Sequence, residues 1–204
     1  MRAAVGIFSH MGWLTAVTVV KHEEFIHVVR TERIEPGDPL DREAIEPYHL
    51  AGGFRGLDRV PAPPDPQALI DRGVEKQRRH TLGNFRSLLQ DMCELGFLIA
   101  DAAILAGRGK SAATLDKVLA SHAQIHIAEG NSVRQAVDAA LEQLGVRVAW
   151  LDRKNLFETA NEVLALEESE LTAKLTSIRP EITSPWRKEE RLCAIAAWVS
   201  LSAG

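Results

Sequence analysis

Three short apolar stretches rich in β-branched residues open the chain, and polar turns separate them. They cover residues 3–8, 13–20 and 25–30, with turns at 9–12 and 21–24. Runs of this composition favour strands, and tight turns between them favour antiparallel pairing of neighbours. The pattern therefore predicts a three-stranded antiparallel meander at the start of the chain.

Residues 35–66 change character, because prolines and glycines accumulate there. Proline fixes φ and removes a backbone donor, so we expect a loop, with a short helical piece near 42–50. Long loops in compact domains are often functional. The stretch is therefore predicted to be a Pro/Gly-rich insertion within a single domain. Its prolines and glycines are Pro36, Pro39, Pro47, Gly52, Gly53, Gly56, Pro61, Pro63, Pro64 and Pro66.

Helical periodicity begins after this insertion. Asp65 is a suitable N-cap for a helix over 66–94, and Gly96 would end that helix. Residues 97–106 are nearly all apolar, which favours a buried central strand, with a helix as the alternative. The helix is predicted to bury one stripe, at the helical spacing of three and four, formed by Leu82, Phe85, Leu89 and Met92.

The second half alternates helices with one short strand. After a turn at 108–110, Ser121 would cap a long helix that Gly145 ends. The element order is therefore three strands, a long loop, and then αβαβα. The predicted elements are a short helix at 113–119, a helix at 122–144, a strand at 146–151, and helices at 153–166, 168–176 and 187–202.

Composition and charge narrow the functional classes. The chain has 204 residues, a size that suits one domain over 1–204. Its formal net charge of −4 provides no general attraction to nucleic acid. Cys93 and Cys193 form no close pair, so we expect two reduced core cysteines. With no signal peptide and no apolar run long enough for a membrane span, we expect a cytoplasmic protein.

A histidine-rich string is the most unusual local feature. On a helix, His122, His126 and Glu129 lie one turn apart and share a face. Two imidazoles and a carboxylate could hold a divalent metal or act as an acid–base pair. The alternative is structural, with Glu129 paired to Arg134 or to His126.

Two loops offer further polar groups. Tyr48 and His49 lie in the 35–66 insertion, where they could bind a ligand or only anchor the loop. Ser9 and His10, with Gly12, lie in the first turn, where a hydroxyl and backbone N–H groups could hold an anion. A bare hairpin turn is the simpler interpretation of that second string.

The order of elements resembles that of the ribonuclease H-like superfamily, especially its Holliday-junction resolvase-like branch. Val5-Gly6-Ile7 with a turn and Gly12 looks like the first hairpin of those proteins. Residues 130–151 and 187–199 are similar to their later helix–strand unit and last helix. The resemblance implies a mixed α/β sheet with helices on both faces, and nucleases of this fold hold divalent metals with carboxylates.

The sequence departs from that pattern at the first carboxylate. The first strand has no acid, and Phe8 or Ser9 stands in its place. Asp101 in the fourth strand, and Glu189 or Glu190 in the last helix, could fill the other positions. We therefore do not expect a standard two-metal nuclease centre.

Three functional hypotheses follow. The first is a binding or regulatory protein for nucleic acid or a nucleotide-like ligand, favoured by a basic surface through Arg78, Arg79 and Arg86. The second is a hydrolase with a His/Glu site on the 122–144 helix, helped by His49 and Tyr48 or by Asp101. The third is a homo-oligomeric interaction module. Convergence of His49, His122, His126 and Glu129 in one cleft would favour the hydrolase.

Overall fold

A computed structural model of the chain describes residues 1–10, 12–22, 25–55, 58–107, 112, 114–178 and 186–203. The predicted turn at 108–110 lies outside these residues, as do parts of the turns at 9–12 and 21–24. The helices and strands, in chain order, are β1 (Arg2–Ser9), β2 (Leu14–His22), β3 (Phe25–Ile34), α1 (Arg42–Ile45), α2 (Pro47–Ala51), β4 (Phe54–Arg55), β5 (Asp58–Arg59), α3 (Pro66–Glu94), β6 (Leu98–Ala106), α4 (Leu115–Leu119), α5 (His122–Gln143), β7 (Arg147–Asp152), α6 (Leu156–Leu164), α7 (Glu168–Ile178) and α8 (Lys188–Ala203).

A mixed five-stranded sheet forms the centre of the protein, with the strand order β3-β2-β1-β6-β7. β1, β2 and β3 pair antiparallel, which confirms the predicted meander. β6 runs parallel to β1 and β7 runs parallel to β6. The apolar stretch at 97–106 is thus a central strand rather than a helix. Together these features confirm the predicted α/β fold.

Helices cover both faces of the sheet, and the alternation of side chains along β1 separates the two cores. Val5 and Ile7 point to the face covered by α3 and α5, whereas Ala4 points to the face covered by α6, α7 and α8. At Gly6 the backbone of α8 lies directly on the strand. A Cβ there would approach the Cys193 carbonyl oxygen to 1.9 Å, so only glycine fits.

The two long helices begin and end where the sequence predicts. The Asp65 side chain accepts a hydrogen bond from the Ala68 N–H at 2.9 Å and so caps α3. The Ser121 hydroxyl caps α5 by accepting from the Gln124 N–H. Gly96 and Gly145 follow these helices with φ of 85° and 77°, which favours glycine at both ends.

The buried stripe of α3 differs from the predicted one. Phe85 and Met92 are buried as expected, but Leu88 and Thr81 complete the stripe, whereas Leu82 and Leu89 are half-buried. The prediction for Cys93 is wrong, because this side chain is exposed. It follows the buried Met92 and therefore lies about 100° around the helix from the core. Cys193 is buried as predicted.

Within the 35–66 stretch, the short helices α1 and α2 pack against α3. α1 packs closely on α3, because a Cβ at Gly73 would lie 2.3 Å from the Glu43 carbonyl oxygen. The Lys76 ammonium on α3 forms ion pairs with Asp41 at 2.8 Å and with Glu43. These contacts fix the position of α2, which carries Tyr48 and His49. Among the described residues, no helix is both long enough and apolar enough to cross a membrane.

Candidate metal centre

Three histidines from two helices converge where α2 meets the start of α5. His49 comes from α2, and His122 and His126 lie on the first two turns of α5. Each offers one ring nitrogen, and these nitrogens all lie within 4.8 Å of one another. The ring centroids are 5.3 Å apart for His49 and His122, 4.7 Å for His49 and His126, and 4.4 Å for His122 and His126. We call these three residues the histidine cluster.

Glu129 orients His49 within this cluster. Its Oε1 accepts hydrogen bonds from the backbone N–H of Tyr48 at 2.8 Å and of His49 at 3.0 Å. The same oxygen lies 3.3 Å from Nδ1 of the His49 ring. A carboxylate at Nδ1 favours the proton on that nitrogen. The lone pair of His49 is then on Nε2, which has no hydrogen-bond partner among the described residues.

Burial and the neighbouring imidazoles favour the neutral form of His126, and this form suits the histidine cluster to a cation. Desolvation, followed by the nearby His49 and His122, lowers the pKa of His126 below its ordinary value. A neutral imidazole is the form that binds a metal. Burial raises the pKa of Glu129, and the hydrogen bonds from His49 and Tyr48 partly offset this effect. Glu129 Oε2 is buried with no partner among the described residues, so a nearby cation would compensate an unfavourable group.

The donor set matches zinc better than magnesium or calcium. Zinc prefers imidazole ligands, whereas the harder cations prefer oxygen. With Zn–N bonds of about 2.0–2.1 Å, tetrahedral ligands lie roughly 3.3 Å apart. The nitrogens would therefore need to approach one another by at most about 1.5 Å. His122 and His126 are exposed and have room for this rotation, while His49 is buried and fixed.

An aromatic and apolar wall supports one side of the cluster. The Phe54 ring stacks on His122, with the centroids 4.8 Å apart and an interplanar angle of 20°. The Arg59 guanidinium lies 4.3 Å from the Phe54 ring centre. Phe54 packs on Val118 and Ile125 in a small core of its own. Phe54 was not predicted as a site residue, because it lies in the 35–66 insertion and no regular spacing of residues marks it.

Two of the predicted site residues take other places near the cluster. Tyr48 contributes its backbone N–H, while its half-buried side chain packs against the small core beneath α4 and α5. Arg134 forms no ion pair with Glu129. Its guanidinium donates instead to the Ser9 hydroxyl at 2.8 Å and to Asn131 Oδ1 at 2.7 Å.

Asp101 is not part of this site. It is buried near the amino ends of β1 and β6, where it pairs with Arg2 at 2.8 Å and with Arg147 at 2.6 Å. In the strand register it lies beside Ala4, at the opposite end of β1 from Ser9. The two arginines come from β1 and β7, so Asp101 links three adjacent strands.

The carboxyl end of β1 holds the other predicted polar groups. Phe8 points to the α8 face, where Glu189 lies in the first turn of the helix. His10 Nε2 lies 3.6 Å from Glu189 Oε2, and its ring stacks on Trp13 with centroids 4.5 Å apart. Burial lowers the pKa of His10, although Glu189 and then Glu190 oppose the shift. Ser9 points the other way, to Arg134.

Comparison with known proteins shows similarity in structure only. No protein-family model and no curated protein sequence matches the chain. RuvC of T. thermophilus in complex with a Holliday junction substrate superposes on it with a TM-score of 0.53 and 10% identity, covering 98% of this chain and 92% of RuvC. Another Thermus thermophilus RuvC structure gives a TM-score of 0.50 and 11% identity, covering 97% of this chain and 92% of that one. Both superpositions extend over nearly the whole chain. The chain therefore shares the fold of these structures, a ribonuclease H-like α/β fold.

Proposed function

We propose that the protein is a metal-dependent hydrolase whose metal, zinc in the first instance, is bound by His49, His122 and His126. The observation that carries this proposal is the convergence of three ring nitrogens within 4.8 Å, one of them on a buried histidine held by a carboxylate. A ligating histidine whose second nitrogen contacts a carboxylate is the usual arrangement at zinc sites. His49 and Glu129 are 80 residues apart in the sequence. Their contact therefore serves either this arrangement or simple packing.

The geometry favours a catalytic site over a closed structural one. Structural zinc sites have four protein ligands, whereas catalytic sites keep one position for water or substrate. Zinc supplies a Lewis acid and lowers the pKa of water at that open position. In this chain, Glu129 positions His49, and the exposed His122 and His126 leave the cluster open to substrate.

This proposal places the chemistry away from the edge where nucleases of this fold assemble carboxylates. Phe8 stands at the end of β1 on the side of Glu189, and Asp101 is engaged by two arginines at the other end of the strands. We therefore propose that a standard two-metal nuclease centre is absent. The predicted homo-oligomer and the cytoplasmic location stay predictions.

Metal analysis of the purified protein without an affinity tag tests the hydrolase proposal. We expect about one zinc per chain after purification or after addition of zinc to the metal-free protein, because the three nitrogens need only small side-chain rotations to meet. Inductively coupled plasma mass spectrometry gives the stoichiometry. A protein that retains no metal and whose melting temperature is unaffected by zinc, manganese or magnesium would contradict the proposal.

Nucleic-acid binding is a second candidate. The observation that favours it is the likeness over 98% of the chain to RuvC bound to a Holliday junction, which is an argument from fold alone. Arg78, Arg79 and Arg86 are exposed on α3 and offer a local basic surface on an acidic protein.

We expect a four-way DNA junction to bind at about 50 mM salt and to dissociate as salt rises, because phosphate contacts release counterions. Replacing Arg78 and Arg79 together by glutamine should reduce the slope of log affinity against log salt by about two. Fluorescence anisotropy measures both. Absence of binding at low salt, or a slope unchanged in the double variant, would argue against this candidate.

A further inference from the structure

A cleft of about 310 Å³ lies between α2, α3, α4 and α5, and no residue of the histidine cluster lines it. Buried residues form its floor, among them Ile70, Val118 and Ser132, and exposed residues form its rim, among them Gln67 and Gln135. Every described residue that lines the cleft is uncharged. This volume is at the lower end of the range for small-molecule sites. The cleft therefore suits a small neutral ligand.

Ser132 presents a hydrogen-bond acceptor on the floor of the cleft. It is only 3% exposed, and its hydroxyl donates its single proton to Gln77 Oε1 at 2.6 Å. A hydroxyl group that has donated its proton can only accept further hydrogen bonds. Gln77 is completely buried between the helices, so this orientation of Ser132 is held by the core. A ligand that reaches Ser132 must therefore donate a hydrogen bond to it.

Two amide side chains that line the cleft also have fixed orientations. The Arg134 guanidinium has only donors and occupies Oδ1 of Asn131 at 2.7 Å, which leaves the amide NH₂ of Asn131 free. Asp71 accepts from Nε2 of Gln67 at 2.7 Å, which leaves Oε1 of Gln67 free. Neither free group has a partner within the described part of the chain. Asn131 thus offers a donor to a ligand, and Gln67 offers an acceptor.

Tyr48 brings the 35–66 insertion to the same cleft. Its role beside the histidine cluster is limited to its backbone N–H, which Glu129 binds, so its side chain is available to the cleft. Burial raises the pKa of the Tyr48 phenol, so its hydroxyl stays protonated. The sequence analysis named Tyr48 as a residue that could bind a ligand, and this cleft is where its side chain would do so.

We propose that the cleft binds a cyclic ureide, an uncharged ring in which two N–H groups flank a carbonyl. The two N–H groups match the acceptors of Ser132 and Gln67, and the carbonyl matches the donor of Asn131. The ring supplies the apolar surface that the buried Ile70 and Val118 require. A charged ligand would lose its hydration without meeting an opposite charge. This site goes beyond the proposed hydrolase and does not depend on zinc.

Titration of the protein with hydantoin tests the class of ligand. We expect a Kd between about 0.1 and 1 mM, which is ordinary for a compound of so few atoms. 1,3-Dimethylhydantoin keeps both carbonyls but has no N–H group, so its affinity should be lower by at least about 10-fold. Ligand-observed NMR measures both affinities. Equal affinity for the two compounds, or no binding of hydantoin at about 10 mM, would overturn the proposal.

Asn131→Asp tests the arrangement of donors and acceptors. The carboxylate can still accept from Arg134, but it presents an acceptor where the amide NH₂ was a donor, so hydantoin binding should weaken by at least about 10-fold. Gln143→Glu makes the same change of charge at an exposed position of α5 outside the cleft and should bind hydantoin as the wild type does. Circular dichroism verifies that both variants fold.

The zinc content of these variants separates this site from the proposed function. Neither substitution changes a residue of the histidine cluster, so zinc binding should stay that of the wild type. Hydantoin binding that depends on Asn131 in a protein without zinc would retain the cleft and overturn only the hydrolase. Zinc binding with wild-type hydantoin affinity in Asn131→Asp, or an equal loss in Gln143→Glu, would retain the metal centre and overturn the ureide site.

Discussion

Loss of His122 and His126 together should abolish zinc retention without unfolding the protein. Zinc-finger peptides bind zinc through four ligands with a binding free energy of about 10–16 kcal/mol, which is roughly 3 kcal/mol per ligand. Removing two of the three histidines should therefore weaken binding by about 10⁴-fold. Both side chains are exposed, so His122→Ala/His126→Ala leaves little packing behind. Competition with a chromophoric chelator measures the affinity, and hydrolytic activity should disappear with the metal.

The matched control is His22→Ala/His80→Ala. It also removes two exposed histidines, but from β2 and α3. Its zinc affinity should equal that of the wild type, because neither residue belongs to the histidine cluster. If both double variants bind zinc as tightly as the wild type, the metal lies elsewhere. If the control alone loses zinc, the histidine cluster is not the site.

The α5 part of this site could be predicted because spacing on one helix fixes which side chains are neighbours. His122, His126 and Glu129 share a face wherever α5 packs. The alternative in which Glu129 pairs with Arg134 considered only that helix, and this pair does not form. Arg134 lies a further turn along, where the end of β1 brings Ser9 within hydrogen-bond reach. Helical spacing alone contains no information about that strand.

The part contributed by residues 35–66 depends on tertiary packing. His49 is 80 residues before Glu129, and their contact exists because α1 packs on α3 and carries α2 toward α5. The proline and glycine content indicated a loop but not its path. Phe54 stacks on His122 for the same reason. In contrast, the meander and the buried strand at 97–106 follow from local composition, so the fold could be predicted more fully than the site.

Asp101 shows how a position in a fold can mislead about a role. It lies in the fourth strand of the main sheet, as the resemblance implied, but near the strand's amino end. Arg2 and Arg147 from the neighbouring strands neutralise it there. Strand composition cannot distinguish the two ends of a strand, and ligands collect at the carboxyl end. The residues that meet at that end here are Ser9 and Arg134.

Glu129→Gln should weaken zinc binding by about 10- to 100-fold while the metal-free protein keeps or gains stability. The amide oxygen can still accept the N–H groups of Tyr48 and His49, but it carries no negative charge to hold the His49 proton on Nδ1. Losses of this size are typical when the second partner of a ligating histidine is removed. Chelator competition gives the zinc affinity, and urea denaturation gives the free energy of unfolding. Glu142→Gln, at an exposed position on the same helix, should change neither.

The pH dependence of unfolding distinguishes this role from simple packing. Burial raises the pKa of Glu129 above its ordinary value of 4.5, so the folded state binds this proton more tightly than the unfolded state. The stabilisation from the protonated group is therefore complete below pH 4.5 and is lost as pH rises toward the folded pKa. The metal-free wild type should lose stability over that range relative to Glu129→Gln, and zinc should restore it by compensating the buried charge. Equal zinc affinity in the two proteins would leave Glu129 as a hydrogen-bond acceptor for α2 alone.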